Sequence, residues 1–261
     1  MLKTRLITAV VALLLLCAVL FVVPADVARL IIATLILAGA WEWSGFLGVS
    51  TTTVRMAYVG LVGVLMALMV FAVPQYSELL LQAACVWWFV AFIWTFLFPT
   101  PIPAAIRWLC GTLVLVPLFV ALLELYSLQT ELLLIALLIV WVADIGAYFA
   151  GKQFGRVKLA PGISPGKTWE GVFGGLFMVL LLTLLWAHLW QLPVAVLVPF
   201  CLAVGALSIV GDLTVSMFKR TAGVKDSGKL FPGHSGVLDR IDSVAAAAPL
   251  FALGLNWLEL L

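Results

Sequence analysis

The residues best suited to chemistry lie in one stretch near the C-terminal end of the chain, from Gly211 to Asp242. This stretch carries four Asp, three Lys, two Arg and one His, although only 10% of the chain is charged. Long apolar runs flank it, so its charges lie at the end of a membrane-spanning segment or just inside one. Ionisable groups near lipid are costly and usually serve a site. The stretch is therefore the first candidate for a functional site.

Three apolar segments each offer a carboxylate at a similar depth. In one of them every fourth residue is polar, which predicts a stripe along one helix face: Ser208, Asp212, Ser216 and Arg220. Asp239 and Asp242 are three residues apart, so their side chains face the same way on a second helix. Asp144 lies one turn before Tyr148 on a third helix. The sequence predicts that these carboxylates converge.

A second basic segment, residues 151–171, is rich in Gly and Pro and cannot be regular helix throughout. It contains Ser164, Lys167 and Thr168 around a Pro-Gly pair. Glycines let backbone N–H groups approach an anion, and lysine adds positive charge, so the segment suits phosphate. It is not a nucleotide-binding P-loop, because Pro161 stands where the first glycine of that motif belongs. The alternative is a basic loop that only sets membrane orientation.

Carboxylates beside Lys and Arg indicate a divalent cation that holds phosphates. Mg²⁺ is usually bound by one or two carboxylates together with substrate phosphate oxygens. The basic side chains would neutralise the remaining phosphate charge. For any single pair of opposite charges, a structural ion pair is the simpler alternative.

The rest of the chain must supply the helices that carry these groups. With 65% hydrophobic residues among 261, the chain is typical of an all-α, polytopic integral membrane protein. At about 20 residues per crossing, the apolar runs predict nine spans. Their ranges are 6–24, 30–49, 56–74, 79–99, 107–126, 132–150, 171–190, 193–213 and 237–258. We expect the first to be retained rather than cleaved as a signal peptide.

Basic residues set the orientation of these spans. With a cytoplasmic N-terminus, 13 of the 14 Lys and Arg residues fall on the cytoplasmic side, and only Arg29 lies outside. The four cysteines lie in apolar runs without metal-ligand spacing and are interpreted as small hydrophobic residues.

Glu42 is a carboxylate inside the second predicted span, between Trp41 and Trp43. One interpretation is an interfacial glutamate within a belt of tryptophans. The other is a partner for a basic group of the site.

The C-terminal half resembles the phosphatidate cytidylyltransferase (CDP-diacylglycerol synthase) family over residues 135–245. The family signature is matched by Ser216-Met217-Phe218-Lys219-Arg220, Lys225-Asp226, Pro232-Gly233-His234-Ser235-Gly236 and Asp239-Arg240-Ile241-Asp242. Ser235 stands where the family usually has glycine. The segment from Ser164 to Gly171 and the span containing Asp144 also look like the family.

The resemblance implies a reaction in which CTP and phosphatidate give CDP-diacylglycerol and pyrophosphate, at a polar cavity open to cytoplasm and lipid. It implies a homodimer in a bacterial-type inner membrane, with the active site on the cytoplasmic side. Under this hypothesis residues 131–261 form the catalytic part, with cytoplasmic loops 151–170 and 214–238, and residues 1–130 serve packing and dimerisation.

Residue roles follow from the same resemblance. Mg²⁺, and a second cation if the site is paired, would be held by Asp212, Asp239 and Asp242, with Asp144 and Asp226 as second choices. Lys219 and Arg220 would act on the reacting phosphates. Substrate phosphates would also meet Ser164, Lys167, Thr168, Ser216, Lys225, His234 and Arg240. The alternatives are a CTP-dependent lipid or polyprenol kinase and a membrane transporter.

Overall fold

The computed structural model describes residues 13–48, 51–228 and 236–258. Residues 13–21 are helical. The helices that follow are α1 (Ala25–Trp43), α2 (Thr52–Ala67), α3 (Ser77–Leu97), α4 (Ala104–Leu128), α5 (Thr130–Phe154), α6 (Trp169–Trp190), α7 (Val194–Thr221) and α8 (Leu238–Trp257). A short antiparallel hairpin, β1 (Lys158–Ala160) and β2 (Ser164–Thr168), separates α5 from α6.

The described helices confirm an all-α membrane architecture. Seven helical segments in the described ranges, from Ala25–Leu47 to Val194–Thr221, are long and apolar enough to cross a bilayer. Helix α8 is 20 residues long and matches the ninth predicted span. The first predicted span, 6–24, lies partly outside the described residues. The count of nine and the cytoplasmic N-terminus therefore stay predictions.

Helix α8 is the central element of the bundle. It packs against α7, α4, α3 and α5, so helices from both halves of the sequence surround it. Its middle turns, Ala245 to Ala248, are buried alanines, which allow neighbouring helices to approach closely. The division at residue 130 stays a prediction, but the last helix is packed against the N-terminal half as well as its own.

Two helices extend further than the apolar runs predicted. Helix α5 continues to Phe154 rather than 150, and α7 continues to Thr221 rather than 213. Hydropathy marks where lipid contact ends, whereas a helix ends where its backbone hydrogen bonds do. The extra turns of α7 carry Ser216, Lys219 and Arg220, so these residues belong to a helix rather than to a loop.

The basic segment after α5 is not an open loop. Its central part forms the hairpin, with Lys158 opposite Thr168 and Ala160 opposite Ser164. The prediction that it is not regular helix throughout is confirmed. The strand pairing was missed, because Pro and Gly in so short a stretch predict turns rather than strands.

Candidate active site

Lys219 of α7 joins two of the predicted carboxylates. Its Nζ lies 2.6 Å from Asp239 Oδ1 and 3.9 Å from Asp242 Oδ2. All three side chains are at most 9% exposed. A lysine on one helix therefore binds the first turn of α8 in a nearly dry environment.

Asp212, about two turns earlier on α7, belongs to the same charged cluster. Its Oδ2 accepts a 2.7 Å ion pair from Lys167 of β2, and its Oδ1 accepts the hydroxyl of Ser216 at 3.1 Å. Asp212 shares α7 with Lys219, which pairs with Asp239 and Asp242 of α8. Two of the polar residues predicted to share one face of α7, Asp212 and Ser216, are therefore in direct contact.

A glycine sets the distance between the two helices that carry these carboxylates. A side chain at Gly211 would collide with the backbone carbonyl of Asp242 and touch Ala246. Helices α7 and α8 therefore pack backbone to backbone beside the cluster. This close approach brings Asp212 and Asp242 into one electrostatic environment.

Asp239 is held by the loop before α8 as well as by Lys219. Its Oδ2 accepts hydrogen bonds from the Ser227 N–H at 3.0 Å, the Ser227 hydroxyl at 2.9 Å and the Gly236 N–H at 2.9 Å. Both oxygens are therefore engaged. Asp239 acts here as an anchor for the loop, with no oxygen lacking a donor.

The hairpin is fixed to α7 and α6. Arg220 donates its Nε to the Ile163 carbonyl at 3.0 Å, so this predicted phosphate ligand ties the hairpin turn to α7. The Thr168 hydroxyl accepts the Gly171 N–H at 3.2 Å and caps α6. These contacts carry Lys167 towards Asp212.

A cavity of about 430 Å³ lies between α5, the hairpin, α6 and α7. Its polar lining consists of Asp144, Tyr148, Lys152, Lys167, Thr168 and Asp212. Asp144 of α5 thus shares this cavity with Asp212 and Lys167. Leu159, Val172 and Ile209 add apolar walls. The cavity thus offers charge on one part of its surface and hydrocarbon contact on another.

Asp144 of α5 lies in the lining of this cavity, and α5 also packs closely against α6. A side chain at Gly146 would collide with the Gly174 carbonyl and Met178. Gly146, two residues from Asp144, therefore lets the neighbouring helix approach closely.

Several predicted residues lie away from the cluster. Lys225, Asp226 and Arg240 are exposed, and Ser164 is partly buried at the start of β2. His234 falls outside the described residues. The described site is therefore built from α5, β2, α7 and α8, with Lys167 and Lys219 as its central cations.

Two contributions were not predicted. Ser227 connects to Asp239, and Lys152 lines the cavity with its Nζ 5.6 Å from the ring centre of Tyr148. Lys152 directly follows Gly151 at the end of a span, where it was counted only for membrane orientation. Ser227 follows Lys225 and Asp226 of the signature, but its role depends on how the loop folds back.

Neither of the two interpretations of Glu42 agrees with its contacts in the structure. It is 3% exposed, which excludes an interfacial side chain, and its described partners are backbone N–H groups and the Ser227 hydroxyl rather than a cation. Spacing could not show this, because the contact joins residues 185 to 196 positions apart.

The cluster suits a hard cation that is completed by a substrate. Within the described residues, Lys167 and Lys219 form ion pairs with three carboxylates, those of Asp212, Asp239 and Asp242, while Asp144 lines the cavity together with Lys152 and Lys167. Four carboxylates and three ammonium groups leave a formal imbalance of one negative charge. Within the described residues, no three His, Cys, Asp or Glu side chains are grouped closely enough to hold a metal ion alone. Mg²⁺ commonly takes one or two carboxylates plus phosphate oxygens, and Asp212 and Asp242 fit that arrangement.

Comparison with known proteins places the chain in one family. Residues 3–258 match the model of the Cytidylyltransferase family. The chain is 43% identical to a phosphatidate cytidylyltransferase of Pseudomonas aeruginosa, with 97% of this chain and 96% of the relative aligned. It is 35% identical to the phosphatidate cytidylyltransferase of Haemophilus influenzae over 97% of this chain and 98% of the relative. A Staphylococcus aureus protein of the same name is 47% identical over 45% of this chain and 46% of its own length.

Proposed function

Because this chain belongs to the Cytidylyltransferase family, we propose that it transfers the cytidylyl group of CTP to phosphatidate. The products are CDP-diacylglycerol and pyrophosphate, so the protein would serve phospholipid biosynthesis. Two relatives that align over nearly the whole chain carry the name of this activity.

The main structural support for this proposal is the cavity beside the Lys167–Asp212 pair. Its charged residues suit phosphates, and its apolar wall suits the glycerol end of a lipid. Phosphatidate keeps its acyl chains in the bilayer and its phosphate at the interface. The cavity carries Asp144, Asp212, Lys152 and Lys167 in its lining, and there such a phosphate could meet CTP.

The reaction joins two anions, so charge control is the main task of the protein. A phosphate oxygen of phosphatidate forms a bond to the α-phosphorus of CTP. The bond from that phosphorus to the bridging oxygen of the β-phosphate breaks, and pyrophosphate leaves with the electron pair. The attacking oxygen is already anionic, so no covalent enzyme intermediate is needed.

We propose Mg²⁺ as the cofactor, with Asp212 and Asp242 as its main ligands and Asp144 as a further candidate. A bound Mg²⁺ would neutralise phosphate charge and stabilise the leaving pyrophosphate. Asp239 would orient Lys219 instead, since its two oxygens face four donors in the described residues, whereas those of Asp212 face two. Lys167 and Lys219 would contact phosphate oxygens of the two substrates. A second cation stays part of the hypothesis.

The proposal places the site on the cytoplasmic face of a bacterial-type inner membrane, where CTP is available. The concentration of Lys and Arg on one predicted side supports this orientation. We also propose a homodimer, as the family resemblance implies. Light scattering of the purified protein, corrected for bound detergent, would measure its oligomeric state.

The test uses purified protein with phosphatidate, MgCl₂ and CTP. One CTP preparation is labelled in the cytosine ring and another in the γ-phosphate. Ring label in the lipid extract, with equal release of pyrophosphate, supports the proposed reaction. Label from only the γ-phosphate in the lipid would identify a lipid kinase and reject cytidylyl transfer.

A matched pair of variants links activity to the site. Asp212→Asn removes one charge from the cavity and should abolish product formation, whereas Glu78→Gln changes a carboxylate in the first turn of α3 and should leave it unchanged. Equal activity of both variants would reject the site. A transporter would show phosphatidate-independent flux in liposomes and no labelled lipid.

A further inference from the structure

Glu42 lies inside α1 but binds the backbone where α8 begins. Its Oε1 accepts the Val237 N–H at 3.1 Å, and its Oε2 accepts the Leu238 N–H at 2.8 Å. The side chain belongs to the N-terminal half, far in sequence from the groups that it binds. It therefore joins the two halves at the site.

These contacts satisfy a specific need of α8. The first N–H groups of a helix have no partner within the helix, and a negative charge near them is favourable. In α8 no side-chain cap comes from the residue that precedes the helix. Glu42 supplies the acceptor from another helix and thereby fixes the position of the first turn, which carries Asp239.

Glu42 also reaches Asp239 through a shared hydroxyl. The Ser227 Oγ lies 2.9 Å from Glu42 Oε2 and 2.9 Å from Asp239 Oδ2. Asp239 in turn binds Lys219 at 2.6 Å through its other oxygen. The Ser227 hydroxyl has one proton, which it donates to one of the two carboxylates at a time, so Glu42 and Asp239 share this donor. A set of polar contacts thus runs from Glu42 to the central lysine.

The loop is shaped around this carboxylate. A β-carbon added at Gly228 or at Gly236 would collide with the carboxylate group of Glu42. Two glycines at the described ends of the loop therefore leave room for one glutamate. The fit explains a buried carboxylate in α1 that packing alone would not require.

We propose that Glu42 is a positioning residue for the proposed cytidylyl transfer. It holds the Ser227 loop and the start of α8 so that Asp239 keeps Lys219 in place. The contacts of Glu42 with Ser227, Val237 and Leu238 are called the clamp. The activity test of this inference rests on the proposed function, whereas the clamp itself does not. Both oxygens of the carboxylate are used, so charge and two acceptors are required, not merely volume.

Glu42→Gln tests this requirement with almost no change of size. The amide has one acceptor oxygen, so its NH₂ group must face either the Val237 N–H or the donors of Leu238 and Ser227. We expect kcat to fall at least tenfold while the KM for phosphatidate changes less than twofold. The matched control, Glu78→Gln, should retain wild-type kcat. Wild-type kcat in Glu42→Gln would overturn the proposal.

A double-mutant cycle with Gly228→Ala tests the clamp directly. In the wild-type background the new methyl group collides with Glu42, so both kcat and the thermal unfolding temperature should fall. In a Glu42→Ala background the space is open, and the same change should cost little further. An equal effect of Gly228→Ala in both backgrounds would show that Glu42 does not shape the loop.

The two readouts keep this inference separate from the proposed function. If the wild-type protein makes no CDP-diacylglycerol, the proposed function fails, while coupling in the unfolding temperature still decides the clamp. If the wild type is active but the cycle shows no coupling, only the clamp fails. Should Glu42→Ala not fold, the kcat of Glu42→Gln decides by itself.

Discussion

Replacing Lys219 by methionine is the most informative single change in the cluster. Methionine keeps the length of the side chain and removes its charge. Asp239 and Asp242 then lose their shared cation, and both side chains are at most 9% exposed. Removing one partner of a buried ion pair leaves an uncompensated buried charge, which costs about 3–5 kcal/mol. We expect Lys219→Met to destabilise the protein by that amount.

The exposed Lys152 provides the matched control. It lies at the same end of the bundle, and its recorded contact is with the ring of Tyr148 rather than with a buried carboxylate. Surface substitutions away from buried networks usually change stability by about 0.5 kcal/mol or less. Lys152→Met should therefore unfold close to the wild-type temperature. It serves as a control for stability alone, because Lys152 lines the cavity.

Thermal unfolding in detergent can be followed with a dye that fluoresces after reacting with thiols. Cys110 and Cys201 are buried and become reactive when the bundle opens. A third variant, Lys219→Met with Asp239→Asn, removes one of the two uncompensated charges and should recover part of the lost stability. If Lys219→Met unfolds at the wild-type temperature, the buried pairs of Lys219 with Asp239 and Asp242 do not stabilise the protein, and the predicted loss is refuted.

Three further predictions concern the same site. Lys167→Met should cost less than about 1 kcal/mol of stability, since its pair with Asp212 is partly exposed, yet should lower the rate of CDP-diacylglycerol formation about 100-fold or more; a rate near wild type would remove Lys167 from the reaction. Gly211→Ala should destabilise by about 1–3 kcal/mol through collision with the Asp242 carbonyl, whereas Gly60→Ala, with open space around it, should be neutral in the same unfolding assay. Chelation of divalent cations should abolish turnover and added Mg²⁺ should restore it, while unchanged turnover in excess chelator would reject the proposed cofactor.

The sequence alone determined the class of the protein and the residues worth testing. A chain this apolar must be helical in a membrane, because lipid offers no partners for open backbone groups. Eight of the predicted spans correspond to described helices within a few residues at most boundaries. The charges of Asp212, Lys219, Asp239 and Asp242 stood out for the same reason, since their cost near lipid requires a use.

Only the tertiary structure decided how these residues divide their tasks. Composition could not show that Lys219 binds Asp239, that Lys167 binds Asp212, or that Arg220 holds a hairpin turn. Nor could it show that Glu42 reaches across from the N-terminal half to the start of α8. Helical spacing specifies which side chains share a face. Which faces meet is settled by close packing between distant segments, where small residues such as Gly211 and Gly146 let backbones touch.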